Sequence, residues 1–433
     1  MKFSISICFF LFVLLFRLQS SFATQAHQTG NLKLTFSDRS PLSSREFFQE
    51  RGITFSADND YSVNGRIMNV TVPNTYQADR PIGLLVWISA GNGGDVPGAF
   101  RRNLEDFHLM AVSVVNTGND KPVFQRLGLA IDAVHTLKTL YNIDSERVII
   151  SGNSGGGRSA SMLGPLFPDV FTGGGYYVIG CNPYRDIRYE RDGKRYISEG
   201  IDGYNRNKVE LARRNRFVFH TGSNDFNKPG TQRVYQDYLD DGFEHCLYLE
   251  DPGLGHSTPP ADSIAKGLAF LNAGLKDRAA QLVAEGLEQA RAGKMESAWN
   301  RFQKADVYGH SEAAGWMQRM SDAIDRETEA AIAILAEEGM LAGARALQTV
   351  LDKYGSLPAK QAGARLDQLR EDPEFLREQT AAEILQTIQR GHAANGMEKT
   401  VEFLQRLVNE YPGTSAAAQA EQALSNAAAR SGQ

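Results

Sequence analysis

From Pro81 to Leu275 the chain alternates short apolar runs with segments whose apolar residues recur at helical spacing. This alternation restricts the fold more than any other feature. Ile82–Ile88 is apolar throughout, as a strand buried on both faces of a sheet must be. Leu109–Val115, Arg147–Ser151, Tyr176–Gly180, Arg216–His220 and Cys246–Leu249 read as further strands. Between and after them, Pro97–Phe107, Val123–Tyr141, Arg158–Phe167, Lys208–Arg214, Thr231–Leu239 and Asp262–Leu275 read as helices. In the second of these, Leu127, Ala130, Ile131, Val134, Leu137 and Leu140 form one apolar face. Strand followed by helix, repeated over this length, predicts an α/β domain with a mostly parallel sheet flanked by helices. Upstream, Asn31–Phe36 alternates like an edge strand, and Arg66–Val72 is another strand pattern.

One junction in this alternation carries chemistry. Arg147–Arg158 reads RVIISGNSGGGR, so that Gly152-Asn153-Ser154-Gly155-Gly156 joins a β-branched run to a helical pattern. G-x-S-x-G between a strand and a helix is the nucleophile-elbow arrangement. The serine must turn sharply to stand clear of the sheet, and bulky residues two positions away would collide with the neighbouring strand or helix. The turn also aims the first N–H groups of the helix at a carbonyl oxygen on which charge develops.

Downstream, Asp225 follows the strand Arg216–His220 in Gly222-Ser223-Asn224-Asp225, and His256 lies on the loop Asp251–Pro260 after the last strand. With Ser154, Asp225 and His256 in that order, residues 50–275 resemble the α/β-hydrolase superfamily, in its small esterase and polymer-esterase branch. The resemblance implies that Ser154 is the nucleophile, His256 its general base, and Asp225 the carboxylate that orients the imidazole. Asp251, on the histidine's own loop, is the rival acid; Asp186 lies on an irregular segment. The oxyanion donors implied are the N–H of Gly155 and one from the loop Ala90-Gly91-Asn92-Gly93-Gly94, with Asn92 first and Gly91 second. The family commonly has His-Gly at the start of this loop, where this chain has Ala90-Gly91. No lysine follows the glycines at Walker spacing, no metal-ligand spacing is visible, and no cofactor is required.

Residues 182–207 are rich in Tyr, Arg, Asp and Gly and have no clean period. They stand where the superfamily inserts a lid. Tyr184, Tyr189, Tyr196 and Tyr204 could line a cleft there, or the segment could be a solvated excursion. Composition shifts at about Lys276 to Ala, Glu, Gln and Arg, with no strand-like run beyond it. Leu347-Gln348, Tyr354-Gly355, Gln361-Ala362 and Leu366 match Leu404-Gln405, Tyr411-Pro412, Gln419-Ala420 and Leu424. A fainter copy covers Ala298, Tyr308-Gly309 and Trp316. Residues 276–433 thus read as a helical repeat array that resembles tetratricopeptide-type hairpins, although the spacing of over fifty residues exceeds the ~34 of that family.

The first residues, with Lys2, a mostly apolar Ile5–Leu18 broken by Arg17, and small residues at Ala23 and Ala26, read as a secretory signal peptide over 1–23. Cleavage after Ala23 or Ala26 is equally readable, and the run is shorter than the ~20 residues of a spanning helix. A secreted or periplasmic chain is the expectation, with a catalytic domain over 27–275. Export makes a disulfide between Cys181 and Cys246 conceivable. The expected topology puts them at opposite ends of strands about 10 Å apart sideways, so two buried free thiols are expected. A net charge of −5 leaves no basic excess for nucleic acid.

Three functions remain open on sequence. The first is a secreted serine hydrolase of carboxylic esters, whose substrate is a small or polymer-bound ester. The second is a peptidase of the prolyl-oligopeptidase type, which shares fold and triad. The third is an inert hydrolase fold carrying a helical module for protein partners or self-association through 276–433.

Overall fold

Ile82–Ile88 is buried at every position, and its alternate side chains feed two separate cores. Leu84, Val86 and Ile88 join one cluster, Leu85 and Trp87 the other. That division is what a strand covered by helices on both faces requires. The computed structural model describes residues 26–55, 60–184, 189–191, 194–196, 199–201 and 206–431. The expected signal peptide and 12 of the 26 residues of the expected lid, Tyr204 among them, lie outside the described residues.

In chain order the first unit runs β1 (Gly30–Thr35), a 3-10 turn at Pro41–Ser43, α1 (Arg45–Glu50), β2 (Ile53–Phe55), β3 (Ile67–Val72), β4 (Ile82–Ile88), α2 (Gly98–Arg101) and β5 (Leu109–Val114). It continues with α3 (Val123–Leu140), β6 (Ile143–Asn153), α4 (Gly155–Leu166), β7 (Gly175–Val178), β8 (Tyr189–Arg191), β9 (Lys194–Tyr196) and β10 (Glu199–Ile201). Then come α5 (Arg206–Ala212), β11 (Arg216–Gly222), α6 (Lys228–Asp240), β12 (His245–Asp251) and α7 (Ala261–Leu271). Eight strands form one sheet in the order β1-β3-β5-β4-β6-β7-β11-β12. β1, β3 and β5 pair antiparallel, and every pair from β5 to β12 is parallel. The mostly parallel, helix-flanked sheet expected of an α/β-hydrolase is the sheet observed. β2 pairs with β10, and β8 with β9, in two small ribbons.

Several element boundaries differ from the sequence expectation, for local physical reasons. The helix expected over Pro97–Phe107 lasts only to Arg101, because the Asn103 side chain donates to the Ala99 and Ala261 carbonyls and competes with helical bonding. The last strand extends to Asp251, so Asp251 ends a strand rather than opening a loop. It is the edge strand, partly exposed along its length, and tolerates the polar Glu250 and Asp251. The helix after the elbow starts at Gly155, immediately after Ser154.

Cys181 and Cys246 are free, as expected, but only Cys181 is buried; Cys246, on the edge strand, is half-buried. Burial pushes both thiols up to about 12. Tyr184 follows neither of the two courses left open by the sequence, cleft lining or solvated excursion. It is 1% exposed, packs edge-on against Tyr238, and donates to Asp241.

The chain divides into two compact units, residues 1–275 and 276–433. The second contains α8 (Leu275–Arg291, its first residue at the boundary), α9 (Met295–Val307), α10 (Ala313–Glu338), α11 (Met340–Tyr354), α12 (Lys360–Glu371), α13 (Pro373–Glu410, kinked at Gly396) and α14 (Ser415–Ser431). Each segment matched by sequence folds as a helix, a turn after tyrosine, and a second helix. α10, α11 and α12 share a core of Ile324, Leu347, Val350, Ala362 and Leu366. α13 and α14 share another, of Leu385, Leu404, Leu407, Ala416 and Ala420.

Candidate active site

Ser154 sits between β6 and α4 with φ +53° and ψ −119°, a left-handed conformation rare for a side-chain-bearing residue. The surrounding backbone holds it there. Its N–H donates to the Val178 carbonyl on β7 at 2.9 Å, and its carbonyl accepts from Arg158 on α4 at 2.9 Å. Glycines make room for the turn. A Cβ on Gly156 would lie 1.9 Å from the Ile88 carbonyl oxygen, and one on Gly152 would lie 2.5 Å from it. The end of β4 therefore packs directly on the elbow.

The Ser154 Oγ is 2.9 Å from Nε2 of His256, and Nδ1 of His256 is 2.7 Å from Oδ1 of Asp225. The Asp225 side chain is wholly buried, whereas His256 is 26% exposed. Three donors meet that carboxylate: Nδ1–H of His256 and the Asn227 N–H on Oδ1, and the Thr221 hydroxyl on Oδ2. With Nδ1–H given to Asp225, Nε2 is left to accept the serine proton. The structure thus brings Ser154, Asp225 and His256 together from three segments of the chain.

The loops bearing the acid and the histidine are laced to each other. The Ser223 N–H donates to the Asp251 carbonyl, the Asn224 N–H to the Leu254 carbonyl, and the Gly253 N–H to the Ser223 hydroxyl. Asp251 does not approach His256. Its Oδ2 is 2.8 Å from Nε2 of His220, a wholly buried residue of β11. The Tyr176 hydroxyl lies 2.8 Å from Nδ1 of the same ring, and Ser263 Oγ lies 3.3 Å from Nε2. Burial lowers the His220 pKa from 6.5, against the upward pull of Asp251. The neutral ring therefore donates from Nε2 to Asp251 and accepts from Tyr176 at Nδ1.

Gly155 opens α4, so its N–H is one of the first-turn donors with no partner inside the helix. The loop after β4 is tied to residues 116–120. Asn92 accepts from the Asn116 N–H at its carbonyl and from the Gly118 N–H at Oδ1, and its Nδ2 donates to Asp120. The Ala90 N–H faces Asn153 Oδ1 at 3.3 Å, and the Gly91 N–H donates to Ser89 Oγ at 3.1 Å. Among the described residues the Asn92 N–H has no acceptor.

Two residues near this site carry no signal that sequence reading picked out. The Asn119 carboxamide lies so close to Gly155 that a Cβ there would meet Oδ1 at 2.0 Å. Phe226, directly after Asp225, packs its ring against His256 with the two planes tilted. Chain order along the strands singles out Ser154, Asp225 and His256 as candidates. It is silent about side chains that reach the same place from turns of no fixed pattern.

No protein-family model and no curated protein matches the sequence. Solved structures do. A thermostable esterase is 18% identical, with 47% of this chain and 56% of that one covered, at a TM-score of 0.33. The chain therefore spans just over half the length of that esterase. S-formylglutathione hydrolase from Staphylococcus aureus is 12% identical over 48% of this chain and 92% of that one, at 0.34. Porphyromonas gingivalis dipeptidyl peptidase 4 is 17% identical over 48% of this chain and 33% of that one, at 0.37.

Proposed function

We propose that the chain is a secreted or periplasmic serine hydrolase that cleaves carboxylic esters through an acyl-enzyme. The observation that carries this reading is the Ser154 hydroxyl, raised on a left-handed turn 2.9 Å from an imidazole whose other nitrogen is held by a buried carboxylate. In acylation, Ser154 Oγ bonds to the ester carbonyl carbon while its proton moves to Nε2 of His256. The carbonyl oxygen gains charge and is held by the Gly155 and Asn92 N–H groups. The C–O bond to the alcohol then breaks, and His256 returns the proton to the departing oxygen. Water, deprotonated by the same imidazole, releases the acid and restores the serine. Asp225 fixes the tautomer and stabilises the imidazolium. Residues 276–433 serve a protein partner or self-association.

A fluorophosphonate probe tests the reading. The intact chain should be labelled at Ser154, and Ser154→Ala should take no label. Hydrolysis of a short-chain nitrophenyl ester should fall by several orders of magnitude in that variant. Retention of activity within about tenfold would reject Ser154 as nucleophile. Hydrolysis of the corresponding anilide faster than the ester would favour a peptidase instead.

A further inference from the structure

Phe226 is 74% exposed, the most exposed large hydrophobic side chain among the described residues. Its ring nevertheless has a fixed neighbour: the ring centroids of Phe226 and His256 are 4.2 Å apart, with planes inclined by 32°. The backbone beside it is pinned by the Asn227 N–H on Asp225 and by the Lys228 N–H on the Asp225 carbonyl. A phenyl ring so placed contributes little to a core, since one face meets the imidazole and most of the rest meets water.

The proton relay decides which half of an ester meets this ring. His256 must hand its proton to the departing alcohol oxygen, so that oxygen comes within about 2.6–3.2 Å of Nε2. The carbonyl oxygen is drawn the other way, toward the Gly155 N–H at the start of α4. Whatever the alcohol oxygen carries is therefore delivered beside the imidazole, and Phe226 is the apolar surface packed there. We infer that Phe226 is a specificity-determining residue for the alcohol half of the ester, favouring alcohols that present an aromatic or apolar face. This rests on the hydrolase reading above, and extends it from a reaction to a substrate class.

Benzyl acetate and methyl acetate test it, because they share an acyl group and their alcohols are of similar acidity. The intact chain should show a higher kcat/KM on benzyl acetate. Phe226→Ala should lower the benzyl-to-methyl ratio of kcat/KM by roughly five- to tenfold, the scale of an aromatic contact. Phe226→Trp should keep the ratio. Because a ratio is read, any general effect of the substitution on His256 or on folding cancels. The ratio for methyl phenylacetate against methyl acetate, which varies the acyl half, should stay within about twofold. An unmoved benzyl ratio, no preference for benzyl acetate in the intact chain, or a loss confined to the acyl series would each overturn the assignment of Phe226 while leaving the hydrolase intact. A chain that hydrolyses none of these esters and takes no fluorophosphonate at Ser154 would overturn the hydrolase reading, and this inference with it.

Discussion

Asp225 and Asp251 lie at the carboxyl ends of neighbouring strands, and each holds a histidine, yet the two pairs have different work. The Asp225 pair reaches a serine hydroxyl and is open to solvent on the imidazole side. The Asp251 pair is enclosed with Tyr176 and Ser263. Asp225→Asn should therefore reduce ester turnover roughly a thousandfold or more at little cost to folding. Asp251→Ala should leave turnover at least a hundredfold higher than Asp225→Asn does, and should lower stability by about 1–3 kcal/mol, because His220 loses its acceptor. Paired kinetics and urea titrations of the two variants check this, and the opposite ranking would exchange their roles. The second pair also predicts a pH dependence of stability. The His220 pKa lies below 6.5 in the folded chain, mainly through burial. Below that pH the unfolded chain binds a proton that the folded chain refuses, so stability falls as pH drops from about 6.5 toward the folded value. One such group contributes at most about 1.4 kcal/mol per pH unit. His108 is lowered as well, by burial and by Arg147, and adds in the same direction. His220→Gln should give a less stable protein whose urea midpoint changes less between pH 7 and pH 5.

At the scale of elements, the serine's position is set by how closely β4 packs on the elbow. A methyl group on Gly156 would fall far inside van der Waals contact with the Ile88 carbonyl oxygen, which belongs to a central strand and has nowhere to go. Gly156→Ala should cost about 3 kcal/mol or more, read as a lower urea midpoint, or should prevent folding. Gly230→Ala is the contrast, since nothing lies within 4 Å of the added methyl and the residue is inside α6. It should be neutral, or stabilising by up to about 1 kcal/mol. Equal losses in the two variants would mean that contact at the elbow is not what demands glycine. These elements were legible in the sequence because buried parallel strands are continuous apolar runs, as in Ile82–Ile88 and Val148–Ile150. Less legible were the places where polar side chains intervene. Asn103 halts a helix that the apolar spacing would extend, and the edge position of β12 lets a strand continue through Glu250 and Asp251. The order Ser, Asp, His could be read along the chain. The contact of Asp251 with His220 could not, because it depends on two adjacent strands being in register at Gly222 and Asp251.

On the scale of the whole molecule, each of the two units has core clusters of its own. The two clusters around the sheet end at Leu271, and those of the helical unit described above begin beyond it. A chain ending at Leu275 retains every residue proposed for catalysis and both sheet clusters. It should fold and hydrolyse a small ester within about threefold of the full chain's turnover. An insoluble or inactive product would make the helices part of the catalytic fold. Composition shifts at Lys276 toward alanine-rich helices, which need no strand partners. Trp87 adds a consequence of its own. It is buried on β4 with Phe100 at 4.9 Å, while the other two tryptophans, Trp299 and Trp316, belong to the helical unit. A chain that stops at Leu275 thus has a single indole, located one strand away from the one that bears Ser154. In the full chain, replacing Trp299 and Trp316 by phenylalanine leaves the same lone indole, excited selectively at wavelengths beyond tyrosine absorption. Its emission would then report unfolding around the sheet, while circular dichroism at helical wavelengths follows both units together.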